Sequence, residues 1–428
     1  MFRLTGVALG LCLSLIATSC SAVELSSWLS RHAIALESVE PGRGGRDLSA
    51  LAALIGERRV VAVGEAAHGA HEIFAFKHRL FRYLVETAGF KVMAFEMSYA
   101  EGAAIDRYVQ GGQGNPRALL ASQRLWPWRT EEIVSLVEWM RFYNLSAPAD
   151  RRLSFHGVDS GNGMALGLPI LIRDFAERRE DVGDLVALKD LVEGPAARDQ
   201  ERALALFDRI AARIDAPAST VTASERAHRL KLLRTARQNY EYYFVDIVYE
   251  VRDRHMADNL VALVDDREGG ANKVFFWGHN AHVSRDSHHY RYLGDEIDWR
   301  KVKPAGAHLS ARFGDDLFVI GSEFLSGDTL APRRSADGQI ASIEPFRVPP
   351  APAGSLPAVL GAIESGSVIV PIRHPTEIIP LAMRTPIDAD SYGGAMPGEE
   401  RSLVPTVLSD SYDALVVLKT ISPSHPLD

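Results

Sequence analysis

Short, continuous apolar runs that stop at a polar residue are the recurring unit of this chain. Val60-Val61-Ala62-Val63 stops at Gly64-Glu65, and Val92-Met93-Ala94-Phe95 at Glu96. Leu153 to Val158 stops at Asp159, and Val274-Phe275-Phe276-Trp277 at Gly278-His279. Leu317–Ile320, Val368–Val370 and Ala414–Leu418 are runs of the same kind. Continuous rather than alternating runs suit strands covered on both faces, as in a parallel sheet. Between the first two runs, Ile73, Phe76, Leu80 and Leu84 recur at helical spacing and Gly89 supplies a stop, which predicts a helix from about Ala70 to Ala88. Strand, helix and strand in so short a span make a βαβ unit. The predicted fold is therefore α/β, with a mostly parallel central sheet, helices on both faces, and a helical cap or insertion at about residues 168–265. The strongest piece of that insertion is one long helix through Tyr240, Tyr243, Phe244, Ile247, Val248 and Val251, continuing to Leu260 and Leu263. Residues 326–355, with several Pro, Gly and charged residues, read as a surface loop.

The N-terminus departs from this pattern. Arg3 precedes an apolar run from Gly6 to Ala17, and the small residues Thr18-Ser19-Cys20-Ser21-Ala22 follow. That order is the charged, hydrophobic and cleavage regions of an export signal, which assigns residues 1–22 to a signal peptide and 23–428 to one catalytic domain. Export to the periplasm follows. Ala17-Thr18-Ser19-Cys20 also resembles a lipobox, so a lipid anchor at Cys20 stands beside soluble release as an alternative. Cys12 and Cys20 are the two cysteines of the sequence. The mature part then has no thiol nucleophile, disulfide or thiolate metal site. A net charge of −8 argues against a nucleic-acid partner.

In an open parallel sheet, ligands sit beyond the carboxyl ends of the strands. Glu65 and His68 follow one such end, Glu96 the next, Asp159 the third, and His279 and His282 the fourth. Two of these ends resemble one another: Gly64-Glu65-Ala66-Ala67-His68 and Gly278-His279-Asn280-Ala281-His282 both place a His four residues after a Gly. If each loop opens a helix, Glu65 neighbours His68 and His279 neighbours His282 on one face. The nucleophile-elbow pattern Gly-x-Ser-x-Gly is missing from these ends; Gly157-Val158-Asp159-Ser160-Gly161 places Ser160 one position late.

Gly-Glu-Ala-Ala-His-Gly-Ala-His-Glu at 64–72 resembles the opening motif of the erythromycin esterase family. In order along the chain, further resemblances are Gly89-Phe90 and Phe95-Glu96, Trp126-Pro127-Trp128, Glu138-Trp139-Met140-Arg141, His156-Gly157-Val158-Asp159, Arg252-Asp253 with Met256-Ala257 and Asn259, and Trp277 to His282. The resemblance implies hydrolysis of an ester, the macrolactone of an antibiotic in the best-known members. It implies His68 as general base on water, Glu65 and Glu96 as its partners, and His279 and His282 as a second catalytic loop. Lys77 stands where drug-hydrolysing members carry an arginine, and a point ammonium does not replace a forked guanidinium. Lys77, Glu72, Arg252 and Trp126 are the candidates for substrate contact.

The chemistry agrees with that implication. Without Cys, ester hydrolysis near neutral pH needs water deprotonated by a His. A carboxylate, Glu65 or Glu96, would fix its tautomer. The expected partner is a small-molecule ester, with no cofactor. The alternative is a Zn or Mn centre held by His68, Glu96 and His282, in a metal-dependent hydrolase or a metal- or haem-binding protein.

Overall fold

The computed structural model describes residues 23–42, 44–216, 221–266, 272–288, 290, 298–335, 339–363, 366–374, 376–392 and 400–427. The export segment, Cys12 and Cys20 lie outside the described residues. The strands in chain order are β1 (Ile34–Ala35), β2 (Val60–Val63), β3 (Val92–Ser98), β4 (Ser154–Asp159), β5 (Val274–Trp277), β6 (Leu317–Arg334), β7 (Ile340–Arg347), β8 (Val368–Pro371), β9 (Ile387–Asp390), β10 (Leu403–Thr406) and β11 (Ala414–Ile421). Each strand-type apolar run singled out above falls in one of them, with Leu153 just ahead of β4. Among the described residues, no helix is long and apolar enough to cross a membrane.

The described chain divides into two units, one within 1–90, 126–136 and 275–428, the other within 91–125 and 137–274. In the first, strands lie in the order β1-β8-β11-β6-β2-β5. The central β6 has parallel neighbours on both sides, pairing Val60 with Leu317 and Ala414 with Ile320. β8 and β1 turn antiparallel at one edge. Residues Val60 to Val63 are buried throughout, which is why the run is continuous rather than alternating.

The helix His71–Ala88 ends at Gly89, whose φ of 74° is the left-handed cap conformation that glycine adopts without a Cβ penalty. This helix buries His78. Desolvation, with a smaller push from the charge of Arg82, lowers the imidazole to about 3 from the usual 6.5. Because the folded value lies below the unfolded one, the contribution of His78 to stability is complete above pH 6.5 and is lost as pH falls toward 3. Between those limits its share of the slope approaches about 1.4 kcal/mol per pH unit. Urea unfolding at pH 7 and pH 5 is expected to show a smaller loss in His78→Leu than in the wild type; equal losses would remove His78 from the account.

The second unit holds β3 and β4, parallel, with Val92 opposite Ser154 and Ala94 opposite His156. Their register shifts between Phe95 and Ser98, so Glu96 sits in an irregularity of the kind that re-aims a side chain. Helices Gly163–Glu177, Gly183–Glu193, Gln200–Asp215, Ala223–Tyr240 and Val248–Val264 follow. Leu171, Leu188, Phe207, Ile210 and Leu232 belong to a core that the first four of these helices share. His156 is held neutral, lowered to about 4 mainly by desolvation, as suits a structural histidine.

Two sequence expectations are corrected. The single helix through Tyr240 and Leu263 is two helices joined by a 3-10 turn, Glu241–Phe244, and an extended Val245. Tyr243 and Val248 are exposed, so the apolar stripe that suggested one helix is not continuous in space. The expected loop at 326–355 is largely a hairpin: β6 extends to Arg334 and pairs antiparallel with β7. Its charges are cross-strand ion pairs, Arg333 with Glu344 and Arg347 with Asp328, on exposed edges.

Candidate active site

β2 and β5 deliver the two histidine loops side by side, for Gly278 N–H donates to Val63 O and Asn280 N–H to Glu65 O. The close passage requires Gly64: a Cβ there would lie 2.2 Å from Asn280 Oδ1 and 2.9 Å from Val283 Cγ2. Asn280 cannot retreat, because its amide bridges Ser322 O and Ser322 N on β6. Gly64→Ala is expected to destabilise the protein by about 1–3 kcal/mol through overpacking, measured by denaturant unfolding.

The first loop does not itself open a helix; the helix starts at His71, one residue after the expected start at about Ala70. Its conformation is set by strand-like contacts, with Tyr392 N–H donating to Ala66 O and His68 N–H to Tyr392 O. Ala66 N–H donates to Ser322 Oγ. Glu65 and His68 still meet, with Nδ1 2.5 Å from Glu65 Oε1. Of the two candidate carboxylates, Glu65 is the one in contact with the imidazole. Its other oxygen accepts from Lys77 Nζ at 2.6 Å and from Trp277 Nε1 at 2.9 Å. Both Glu65 and Lys77 have 0% side-chain exposure, against 11% for His68. A buried carboxylate must be compensated, and here an ammonium and an indole N–H do so.

Lys77 is therefore not the substrate contact expected of it. Its ammonium also donates to Gly278 O and lies 4.9 Å over the Trp277 ring. It ties the two loops together beneath Glu65. Trp277, which opens one of the family-like motifs, is not a site candidate in the sequence because it ends an apolar run and reads as core.

The second loop does form a turn of helix, Asn280–Val283, with His279 as its N-cap. His279 Nδ1 accepts from Ala281 N–H. In the neutral ring this leaves the proton on Nε2, making it a donor. The His68 and His279 rings are 4.8 Å apart, and Trp128 stands edge-on to His68 at 5.6 Å. His282 is buried, with Nδ1 3.3 Å from the Tyr290 hydroxyl. Trp126, in the same short turn as Trp128, is also buried. Glu72 is occupied by the C-terminal segment, accepting from the N–H and hydroxyl of Ser422.

In the second unit, Arg252, a candidate for substrate contact in the sequence, is held in ion pairs. It reaches Glu96 Oε1 at 3.1 Å and Asp159 Oδ2 at 2.6 Å. Burial works against its charge, but Asp159 and Glu96 outweigh it and hold the guanidinium firmly protonated. Asn259 anchors the same helix by donating to Val158 O on β4.

The alternative metal set, His68, Glu96 and His282, is not among the ligand groups that the described residues bring together. Among the described residues, two trios of potential ligands lie within 4.8 Å of one another, His32 with His374 and Glu377, and His71 with Glu132 and His425. Neither includes His68, Glu96 or His282.

The family model for erythromycin esterase matches residues 85–421. The chain belongs to the erythromycin esterase family, and with it to the hydrolases. It is 26% identical over 99% of its length to "Putative hydrolase YbfO" of Bacillus subtilis (strain 168), covering 98% of that protein. It is 24% identical to "Erythromycin esterase type II" of Escherichia coli, across 72% of this chain and 79% of the relative. In fold it is similar to a Bacillus cereus protein of known structure, with a TM-score of 0.76 at 22% identity, over 95% of this chain and 99% of that one. A mutant of the erythromycin esterase EreC in its open conformation matches with a TM-score of 0.67 at 17% identity, covering 92% and 99%.

Proposed function

We propose that the protein hydrolyses a carboxylic ester of a small molecule, a macrolactone or a similar cyclic ester, with His68 as the general base. The observation that carries this reading is the Glu65–His68 contact on a fully buried carboxylate. With Nδ1–H donating to Glu65, the His68 lone pair is on Nε2. That nitrogen takes a proton from water while the oxygen attacks the ester carbonyl. Glu65 stabilises the imidazolium so formed. The tetrahedral oxyanion receives a hydrogen bond from His279 Nε2–H, with His282 beside it in the same loop. Collapse breaks the acyl C–O bond, and the imidazolium returns its proton to the leaving alkoxide. The steps draw on side chains alone.

The named relatives favour erythromycin-type lactones as the substrates to try first, and the export-type segment 1–22 supports a location outside the cytoplasm, with lipidation of Cys20 as the alternative to soluble release. The test is incubation of the purified protein with a panel of macrolides and simple esters, followed by mass spectrometry. A gain of one water by a lactone, or release of acid and alcohol from an ester, is expected. Modification of a substrate without such a gain would overturn ester hydrolysis, and so would inertness toward the whole panel.

A further inference from the structure

Three residues beyond His68, the start of the helix His71–Ala88 presents a second cluster that the hydrolytic steps do not use. His71 Nδ1 lies 2.6 Å and His425 Nδ1 2.7 Å from the same oxygen, Glu132 Oε1. The two rings stand nearly perpendicular, with centroids 5.1 Å apart. Two imidazole nitrogens and one carboxylate oxygen thus converge from three distant parts of the chain. The far nitrogen of His71 faces a second carboxylate, Glu40 Oε1, at 3.5 Å. A carboxylate behind a histidine is the arrangement that orients the ring and strengthens it as a ligand. Glu132 is itself fixed by the His425 backbone N–H, which donates to both of its oxygens.

We infer that His71, Glu132 and His425 form a binding site for a divalent transition-metal ion such as Zn²⁺, separate from the His68 centre. Two His and one Glu with a fourth position open to water suit zinc, whose ligand atoms lie about 2.0–2.2 Å from the ion. The opening is present, for the His425 side chain is 65% exposed while His71 is 23% and Glu132 6%. Closing three ligands on an ion needs small rotations of side chains already in contact. A proton shared between His71 and Glu132 is the competing occupant, and it raises His71 to about 9 chiefly through that hydrogen bond.

The site would act as a clasp on the C-terminal segment. That segment already runs beside the catalytic loop, with Ser424 N–H donating to Gly69 O, His71 N–H to Ser422 O, Glu131 N–H to His425 O and Leu427 N–H to Arg129 O. An ion on His425 would lock the segment to the start of the helix that carries His71, three residues from His68.

The test is titration of the chelator-stripped full chain with zinc chloride, by calorimetry and by thermal unfolding, for wild type, His425→Ala, His374→Ala and His68→Ala. His425 is exposed enough for its alanine variant to fold, which circular dichroism would establish. Wild type, His374→Ala and His68→Ala are expected to bind zinc with a rise in melting temperature. His425→Ala is expected to bind more than about 100-fold more weakly, since even outer partners of a ligand are worth 10–100-fold. Equal binding by His425→Ala and wild type would overturn the inference, as would no binding by wild type. Loss only in His374→Ala would move the ion to the other trio, and loss only in His68→Ala to the hydrolytic centre; each also overturns it.

Discussion

Replacement of His68 by alanine is expected to lower kcat on any cleaved ester by about 10²–10⁴-fold, the range that general-base catalysis supplies. The fold should tolerate the change. His68 takes its position from backbone bonds, N–H to Tyr392 O and Tyr392 N–H to Ala66 O, which an alanine keeps. Its side chain is also at the edge of the buried network rather than in its middle. The loss should therefore appear in kcat more than in KM, because the base acts in the transition state and not in holding the substrate. Steady-state kinetics with circular dichroism as the folding control would check this. A folded His68→Ala enzyme with wild-type kcat would leave the proposed mechanism without its base.

The second large effect is on stability. Lys77→Met is expected to destabilise the fold by about 3–5 kcal/mol, the range for removing one partner of a buried ion pair. Methionine nearly matches the length of lysine, so little volume is lost. What is lost is the cation facing a carboxylate that has no exposure. The Lys77→Met/Glu65→Gln double variant should recover at least half of the loss, since the stranded charge is then gone while the amide oxygen still accepts from Trp277 N–H and the amide NH2 donates to His68 Nδ1 in its other tautomer. Denaturant unfolding of the four proteins closes the cycle. A double variant no more stable than Lys77→Met would mean that lysine contributes by packing instead. The double variant should nonetheless be poor in catalysis, as a neutral amide cannot stabilise the His68 imidazolium. Stability and activity thus separate at Glu65.

The same residues show why Lys77 misleads when met as a letter in a helix. Its neighbours Phe76 and Leu80 belong to the apolar stripe, and a lysine beside them reads as a snorkelling or pocket-lining residue. Only the partner that the fold supplies, Glu65 from the preceding loop, turns it into a buried counter-ion. Arg252 is a parallel case in the other unit, where Glu96 and Asp159 come from two different strands to meet one guanidinium.

The sequence by itself determined the strands, their polar ends and the helix that stops at Gly89. These depend on periodicity and on local backbone preference, which act over a few residues. It also marked His68 and the His279 loop, because glycine and titratable residues at strand ends are local signals too. The tertiary structure alone decided which carboxylate meets His68, why Gly64 admits no side chain, and that the expected loop at 326–355 is a hairpin. It also brought Glu132 to His71 across 61 positions and to His425 across 293. Such pairings follow from the packing of distant elements, and a pattern of apolar and polar positions records which face of an element is buried, not which partner that face will meet.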